Sequence, residues 1–234
     1  MRVAGVDGCR GGWVAALVDL VDVPGGVPGI GGVALRLVTA AELPDLGLHV
    51  GIDIPIGLPD GPGRRAADAA ARAMLPGRRG ASVFPVPVRA VLAAGDYAQA
   101  CAVSRAACGR ALSKQTWYLV PKIAEVDAVL TPAHCGRVGE VHPEVAFSLL
   151  AGGDPLPPKK TAAGRAARER LLVGWLGTDV RRLVDTAPRP ARADDALDAL
   201  ACAWSAARWA RGEALVLGDR AATDAKGLPQ LIRA

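Results

Sequence analysis

The sequence predicts an α/β fold in which a mixed β-sheet is flanked by helices. Two observations carry this prediction. Apolar runs joined by short glycine-rich or proline-rich connections fill the first 38 residues, which indicates strands linked by hairpins. From about residue 62 onward, small apolar residues recur at helical spacing instead. A further strand, reached after a short acidic segment, favours a mixed sheet over a regular β-α-β repeat.

Five strands are expected. The first three correspond to the early apolar runs, at about 2–7, 12–20 and 33–38. The stretch 22–32, rich in proline and glycine, is interpreted as a loop between the second and third strands. The run 48–59 is apolar on both sides of Asp53, as is typical of a buried central strand, and we expect this strand to end at Pro55.

The fifth strand is expected within 136–145, and a short strand-like segment lies at 213–217. Helices are expected within the remaining periodic segments, at 64–75, 96–108, 113–130, 143–151, 161–176 and 193–211. Pro121 should kink or break the third of them. With 234 residues, the chain is predicted to form a single domain over 1–234, with a helical insertion at about 62–130 between the fourth and fifth strands.

Composition excludes several classes of protein. No apolar run reaches the roughly 18 residues of a membrane span, and the N-terminus lacks the pattern of a signal peptide. The five cysteines are scattered and contain no C-x-x-C, which argues against a disulfide framework or a zinc ribbon. We therefore expect a protein with reduced thiols in the cytoplasm and no membrane partner.

The net charge of +5 is compatible with a polyanionic partner, although 23 arginines against five lysines and no asparagine also indicate a GC-rich coding sequence. Bases are concentrated in the stretches 64–89 and 159–192. These stretches are either ordinary solvated faces or surfaces that meet phosphates.

Two aspartates lie at the ends of predicted strands. Asp7 ends the first strand, before the glycine-rich sequence DGCRGG, and Asp53 lies between Ile52 and Ile54. A strand follows these glycines, so they indicate a hairpin and not a phosphate loop on a helix N-terminus. A buried carboxylate requires pairing, hydrogen bonds or a cation, unless the strand end simply reaches solvent.

Two further acidic groups lie near the C-terminal half. Glu140, His142 and Glu144 alternate in sequence, so an extended chain would place them on one face, which is also what a polar edge strand would show. The sequence ARADDALDALA predicts a helix start carrying several acids. Asp194 or Asp195 can cap that helix, but capping does not explain Asp198 one turn further in.

Carboxylates gathered in this way are the ligands that Mg²⁺ or Mn²⁺ prefers. The sequence contains no G-x-S-x-G motif and no P-loop, which disfavours a serine hydrolase and a P-loop nucleotide site.

The order of these acids resembles that of the RNase H-like superfamily, and DALDALA (195–201) resembles the last helix motif of the RuvC-type Holliday-junction resolvases. Further blocks along nearly the whole chain, among them GVDGCRGGW, GIDIPIGLP, LSKQ, EVHPEVAF and DDALDALA, resemble the DUF429 family, regarded as predicted nucleases of RNase H-like fold. The resemblance implies an RNase H-like mixed five-stranded sheet flanked by helices.

The resemblance also implies a metal site. It assigns metal binding and catalysis to four aspartates, namely Asp7, Asp53, Asp195 and Asp198. Glu144 or Glu140 would add a ligand or a base. The resolvases have glutamate where this chain has Asp53, whose shorter side chain should draw the metal towards the strand.

Substrate contacts are expected from basic residues and one histidine, namely Arg10, Lys114, Lys122, His142, Lys160 and Arg168. Of these, Arg10 lies in the hairpin loop, and the stretch 159–168 also contains Lys159 as a further candidate for a phosphate contact. His142 is also a candidate for orienting a neighbouring carboxylate.

The resulting hypothesis is a nuclease that hydrolyses phosphodiester bonds of DNA or RNA by a two-metal mechanism with Mg²⁺ or Mn²⁺. Two alternatives stay open. One is an ATP-dependent phosphotransferase of actin-like fold, and the other is a non-catalytic module that binds nucleic acid or another partner.

Overall fold

The computed structural model describes residues 1–22 and 29–234, leaving out the side chains of 77–78. Most of the predicted loop 22–32 therefore lies outside the described residues. The strands are β1 (Arg2–Cys9), β2 (Gly12–Val21), β3 (Gly29–Val38), β4 (His49–Ile52), β5 (Val138–Val141), β6 (Val216–Leu217) and β7 (Ile232–Arg233). The α-helices are α1 (Ala66–Ala73), α2 (Tyr97–Cys108), α3 (Lys114–Val129), α4 (Pro143–Leu150), α5 (Ala162–Leu176), α6 (Val180–Asp185) and α7 (Ala193–Ala210).

The strands form one mixed sheet in the order β3-β2-β1-β4-β5-β7-β6. The pairs β1–β2 and β2–β3 are antiparallel, whereas β1–β4 and β4–β5 are parallel. The predicted mixed sheet flanked by helices is thus confirmed, but the predicted count of five strands is wrong. Of the two additional strands, β6 lies within the strand-like segment noted at 213–217, whereas β7 has only two residues, too few for a periodic apolar pattern to reveal.

Three strand boundaries differ from the prediction. β1 continues to Cys9, so that Asp7 lies inside the strand, opposite Val14, and not at its end. β3 begins at Gly29 and not at 33. β4 ends at Ile52, three residues before Pro55, because the chain bends out of the ladder at Asp53 after one more backbone hydrogen bond, from Asp53 N to Val6 O.

The sequence analysis expects Glu140, His142 and Glu144 to share one face of an extended strand, but the structure does not place them so. β5 ends at Val141, and α4 begins at Pro143, where proline suits the first turn of a helix. Glu140 therefore belongs to a strand and Glu144 to a helix. Pro121 also does not break α3, which continues to Val129 with Val120 and Ile123 buried beside it.

The described residues form two compact units. The first comprises Met1–Asp53, Arg137–Leu215 and Arg233–Ala234, and the second comprises Ile54–Gly136 and Val216–Ile232. The predicted helical insertion lies within the second unit. Within that unit, Arg89 bonds both Asp127 and the buried Asp224, joining the helical segment to the segment 216–232. The single-domain organisation stays a prediction.

In the first unit, α7 lies directly on the sheet. A Cβ atom added to Gly5 of β1 would lie 1.9 Å from the Ala203 amide nitrogen and 2.1 Å from the Ala199 carbonyl oxygen. A Cβ on Gly51 of β4 would lie 2.8 Å from the Cys202 carbonyl oxygen. Glycine at both strand positions and alanine along the helix therefore allow backbone to approach backbone. No helix in the described part of the chain is long and apolar enough to cross a membrane.

This close packing predicts that Gly5→Ala destabilises the protein strongly, because the new methyl group would overlap the α7 backbone. We expect a loss of about 3 kcal/mol or more in the free energy of unfolding, the upper part of the range for overpacked cores. Urea unfolding followed by tryptophan fluorescence measures it. The matched control is Gly32→Ala on β3, where an added Cβ meets nothing within 4 Å and stability should change by less than about 0.5 kcal/mol. Equal stability of the two variants would contradict this description of the packing.

Candidate metal centre

Three carboxylates from three elements converge in the first unit. Asp7 on β1, Asp53 immediately after β4 and Asp198 on α7 each present one oxygen, and these three oxygens lie within 4.8 Å of one another. Asp198 is almost fully buried at 4% exposure, while Asp7 and Asp53 are partly buried. We call these three residues the acidic triad. It contains three of the four aspartates predicted as metal ligands.

The fold explains why the triad forms. Side chains two residues apart on a strand share a face, so Asp7 lies on the same face of the sheet as Gly5. Asp53 likewise lies two residues after Gly51, directly beyond the end of β4. Both glycines lie against the backbone of α7 within the five residues that follow Asp198. Parallel pairing of β1 and β4, extended by the bond from Asp53 N to Val6 O (2.9 Å), then holds the two strand aspartates side by side.

Burial and mutual repulsion raise the pKa values of the triad. The pKa of Asp7 is well above its ordinary value because of burial, with the charges of Asp53 and Asp198 adding to the effect and the Gly8 amide opposing it. The pKa of Asp53 is likewise well above the usual range, through burial and the charge of Asp198. Burial also raises the pKa of Asp198. The folded chain therefore holds these groups in a place unfavourable to three negative charges.

A divalent cation fits this donor set. The three donors are hard carboxylate oxygens from different elements, and the triad contains no imidazole or thiolate, a composition that favours Mg²⁺ or Mn²⁺ over zinc. The nearby thiol of Cys202 is buried, and burial raises its pKa well above the ordinary value, so that it stays protonated.

Among the described residues, Lys159 bonds a member of the triad. Lys159 Nζ donates a hydrogen bond to Asp198 Oδ2 at 2.8 Å. Burial alone would lower the pKa of Lys159, but the charges of Asp198, Asp53 and Asp7 and the bond to Asp198 raise it above its ordinary value. Lys160, the lysine favoured by the sequence analysis, is exposed, with no contact to the triad among the described interactions. The tandem Lys-Lys sequence alone does not distinguish the two side chains.

Asp195, the fourth predicted ligand, has a different partner. Its Oδ2 accepts a hydrogen bond from the Arg192 backbone amide at 2.8 Å, as part of a capping box at the start of α7. Burial raises the pKa of Asp195, and its charge contributes to the raised pKa of Asp7, so it lies near the triad without belonging to it. A metal-binding role for Asp195 stays a prediction.

Glu144 and Arg168, predicted as a catalytic group and a phosphate contact, are bonded to each other. Arg168 Nη2 contacts both carboxylate oxygens of Glu144, at 2.8 and 2.9 Å. Arg168 is 2% exposed, and its Nη1 donates to the carbonyl oxygens of Pro157 and Gly164. The structure therefore places this arginine in the interior of the first unit and not at a surface open to phosphate.

The remaining predicted residues are more distant or differently engaged. Glu140 is buried on β5 opposite Ile52, and its charge helps to raise the pKa of Asp53. His142 is the partly buried residue before α4. Arg10 is exposed in the β1–β2 turn. The two lysines of α3 belong to the second unit, where Lys114 is exposed and Lys122 pairs with Glu125 at 2.9 Å.

Comparisons with known proteins agree with the resemblance of the sequence blocks. The family model described as "Protein of unknown function (DUF429)" matches residues 5–223. A search of curated proteins gives no match. Among solved structures, the RuvC structure of Thermus thermophilus aligns over 91% of this chain and 98% of that chain, with 13% sequence identity and a TM-score of 0.40.

The raised pKa values predict that Asp53→Asn stabilises the metal-free protein. A folded state with a raised carboxyl pKa holds a proton that the unfolded chain releases, so stability is lost as pH rises from the ordinary value of 3.8 through the raised value. The variant lacks this loss. We expect its Tm in EDTA at pH 8 to exceed that of the wild type by about 2–4 °C, the shift of about 1 kcal/mol in a chain of this size.

The same experiment has an internal comparison. Between pH 5 and pH 8, the Tm of the metal-free wild type should fall more steeply than that of Asp53→Asn, whereas Asp194→Asn, which removes a neighbouring aspartate outside the triad, should follow the wild type. Parallel curves for the wild type and Asp53→Asn would show that the triad is not electrostatically unfavourable.

Proposed function

Because the chain belongs to the DUF429 family, whose description assigns no function, we propose from the site itself that the protein is a divalent-metal-dependent nuclease. The reaction is hydrolysis of a phosphodiester bond in DNA or RNA, with Mg²⁺ or Mn²⁺ bound by the acidic triad. A cytoplasmic location, predicted from the scattered cysteines, is part of the proposal.

The single observation that carries the proposal is the convergence of carboxylate oxygens of Asp7, Asp53 and Asp198 within 4.8 Å of one another. A structural role alone does not account for this arrangement, because burial and repulsion make each member less stable as a carboxylate. Clusters of groups with strongly raised pKa values are typical of functional sites, because such clusters lower the stability of the protein without its ligand.

The chain supplies the ligands and the orientation. Asp7 lies on β1, Asp53 directly follows the parallel strand β4 and bonds Val6 O through its amide, and Asp198 lies on α7. The three oxygens therefore need little rearrangement to bind a cation. A bound divalent cation would supply charge neutralisation for the phosphate oxygens and activation of the attacking water. Two such cations are proposed, and Asp7, Asp53 and Asp198 would hold them.

Other residues contribute around the triad. Glu144 is proposed to act through its charge on Asp198 and its bond to Arg168, and Asp195 is proposed as an additional ligand that would exchange its capping bond for a cation. Arg10 and Lys160, both exposed in the first unit, are proposed to contact the phosphate backbone. Lys114, exposed in the second unit, and the partly buried Lys122 are further proposed phosphate contacts. His142 is proposed to orient a carboxylate near the site.

The proposal is tested by incubating the protein with Mn²⁺ or Mg²⁺ and with single-stranded, duplex and branched DNA and RNA. Cleavage should require the metal and stop in EDTA. Asp7→Asn, Asp53→Asn and Asp198→Asn should each lower the rate by about 10³-fold or more, since each removes a charged ligand from the centre that binds the reacting phosphate. Asp194→Asn is the matched control and should retain nearly full activity.

Cleavage by the three triad variants at the wild-type rate would refute the assignment of the site. Metal-dependent ATP binding measured by calorimetry, with no cleavage of any nucleic acid, would instead support the phosphotransferase alternative. Nucleic-acid binding that persists in EDTA without turnover would support a non-catalytic binding module.

A further inference from the structure

Lys159 forms an ion pair with Asp198, a member of the acidic triad. Its ammonium bonds Asp198 at 2.8 Å although its side chain is 42% exposed and Asp198 is nearly buried. An exposed lysine side chain loses rotamer freedom when it is fixed in this way, so the contact requires a compensating attraction. The carboxylates of Asp53 and Asp7 supply it together with Asp198.

The backbone next to Lys159 is held in place. Arg168, itself bound by Glu144, donates to the carbonyl oxygen of Pro157 at 3.1 Å. The carbonyl oxygen of Pro158 accepts both the amide (3.0 Å) and the hydroxyl (2.8 Å) of Thr161. A Cβ on Gly164 would lie 2.0 Å from that same oxygen, so glycine is required for α5 to approach this segment. These contacts of the preceding backbone hold Lys159 beside the triad.

From this geometry we propose that Lys159 is a tethered cation that occupies the metal-free triad, and that a divalent ion displaces it. The proposal rests on the proposed function, since it needs the triad to bind a metal. A divalent ion ligated by Asp198 would lie beside the ammonium, and two cations at such a distance repel each other. The lysine therefore competes with the metal for Asp198 while it limits repulsion among the acids in the free protein.

Under competition of this kind, the apparent association constant for the metal equals the intrinsic constant multiplied by the fraction of molecules in which the lysine has left the site. If the contact is made in about nine molecules out of ten, removing the ammonium tightens metal binding about tenfold. Lys159→Met removes the charge and keeps a chain of similar length. Lys160→Met is the matched control, being the adjacent, exposed lysine without a contact to the triad among the described interactions.

The first experiment is calorimetric titration of Mg²⁺ into the metal-free proteins at pH 8. Lys159→Met should bind Mg²⁺ about tenfold or more tightly than the wild type, and Lys160→Met should bind as the wild type does. Equal or weaker binding by Lys159→Met, with clear binding by the wild type, overturns the inference alone. No Mg²⁺ or Mn²⁺ binding by the wild type and by both variants overturns the inference together with the proposed function.

The second experiment uses the wild type only and does not depend on the folding of a variant. The chain has five lysines, so their side-chain signals are few enough to assign by NMR after selective labelling. In the metal-free protein the Lys159 signal should differ from that of Lys160, and Mg²⁺ should move it towards the position of an exposed lysine. A Lys159 signal that stays unchanged at saturating Mg²⁺ overturns the inference.

Discussion

Backbone contact between α7 and the sheet is the constraint on which the candidate site depends. Gly5 and Gly51 let the helix lie against β1 and β4, since a Cβ added at either position would lie within 3 Å of the helix backbone. This closeness brings Asp198 to the aspartates that follow those glycines by two residues. A larger residue at either position would move the helix outward and separate the carboxylates. Packing and chemistry are therefore set by the same small residues.

The same closeness creates an electrostatic problem that the chain solves only in part. Three carboxylates share a partly buried space, and their pKa values rise accordingly. Lys159 supplies one positive charge. One ammonium does not compensate three carboxylates, so the free site retains a deficit of positive charge that a divalent cation can fill. The unfavourable energetics of the free protein and the proposed affinity for a cation follow from the same arrangement.

Much of this site could be predicted from the sequence, because acids within apolar runs are conspicuous. Asp7, Asp53 and Asp198 each interrupt such a run, and each lies in the triad. The sequence could not distinguish a capping aspartate from a ligand within DDALD, nor Lys159 from Lys160, since both distinctions depend on where a side chain points. The sequence did not predict strand β7, because two residues are too few to show an alternating apolar pattern. The alternation of Glu140 and Glu144 was misleading because a helix begins at Pro143, between them.

Glu144 and Arg168 show that residue type alone does not reveal the partner of a charged side chain. Both have side chains that suit a nuclease, yet Arg168 directs its donors to Glu144 and to the carbonyl oxygens of Pro157 and Gly164. A buried arginine saturated in this way orders the segment that carries Lys159, and its loss would leave the Glu144 carboxylate without that partner. The pair thus acts on the triad through the position of a lysine and through the charge of Glu144, which raises the pKa of Asp198. The electrostatics of the triad therefore depend on the charged groups around it as well as on its three aspartates.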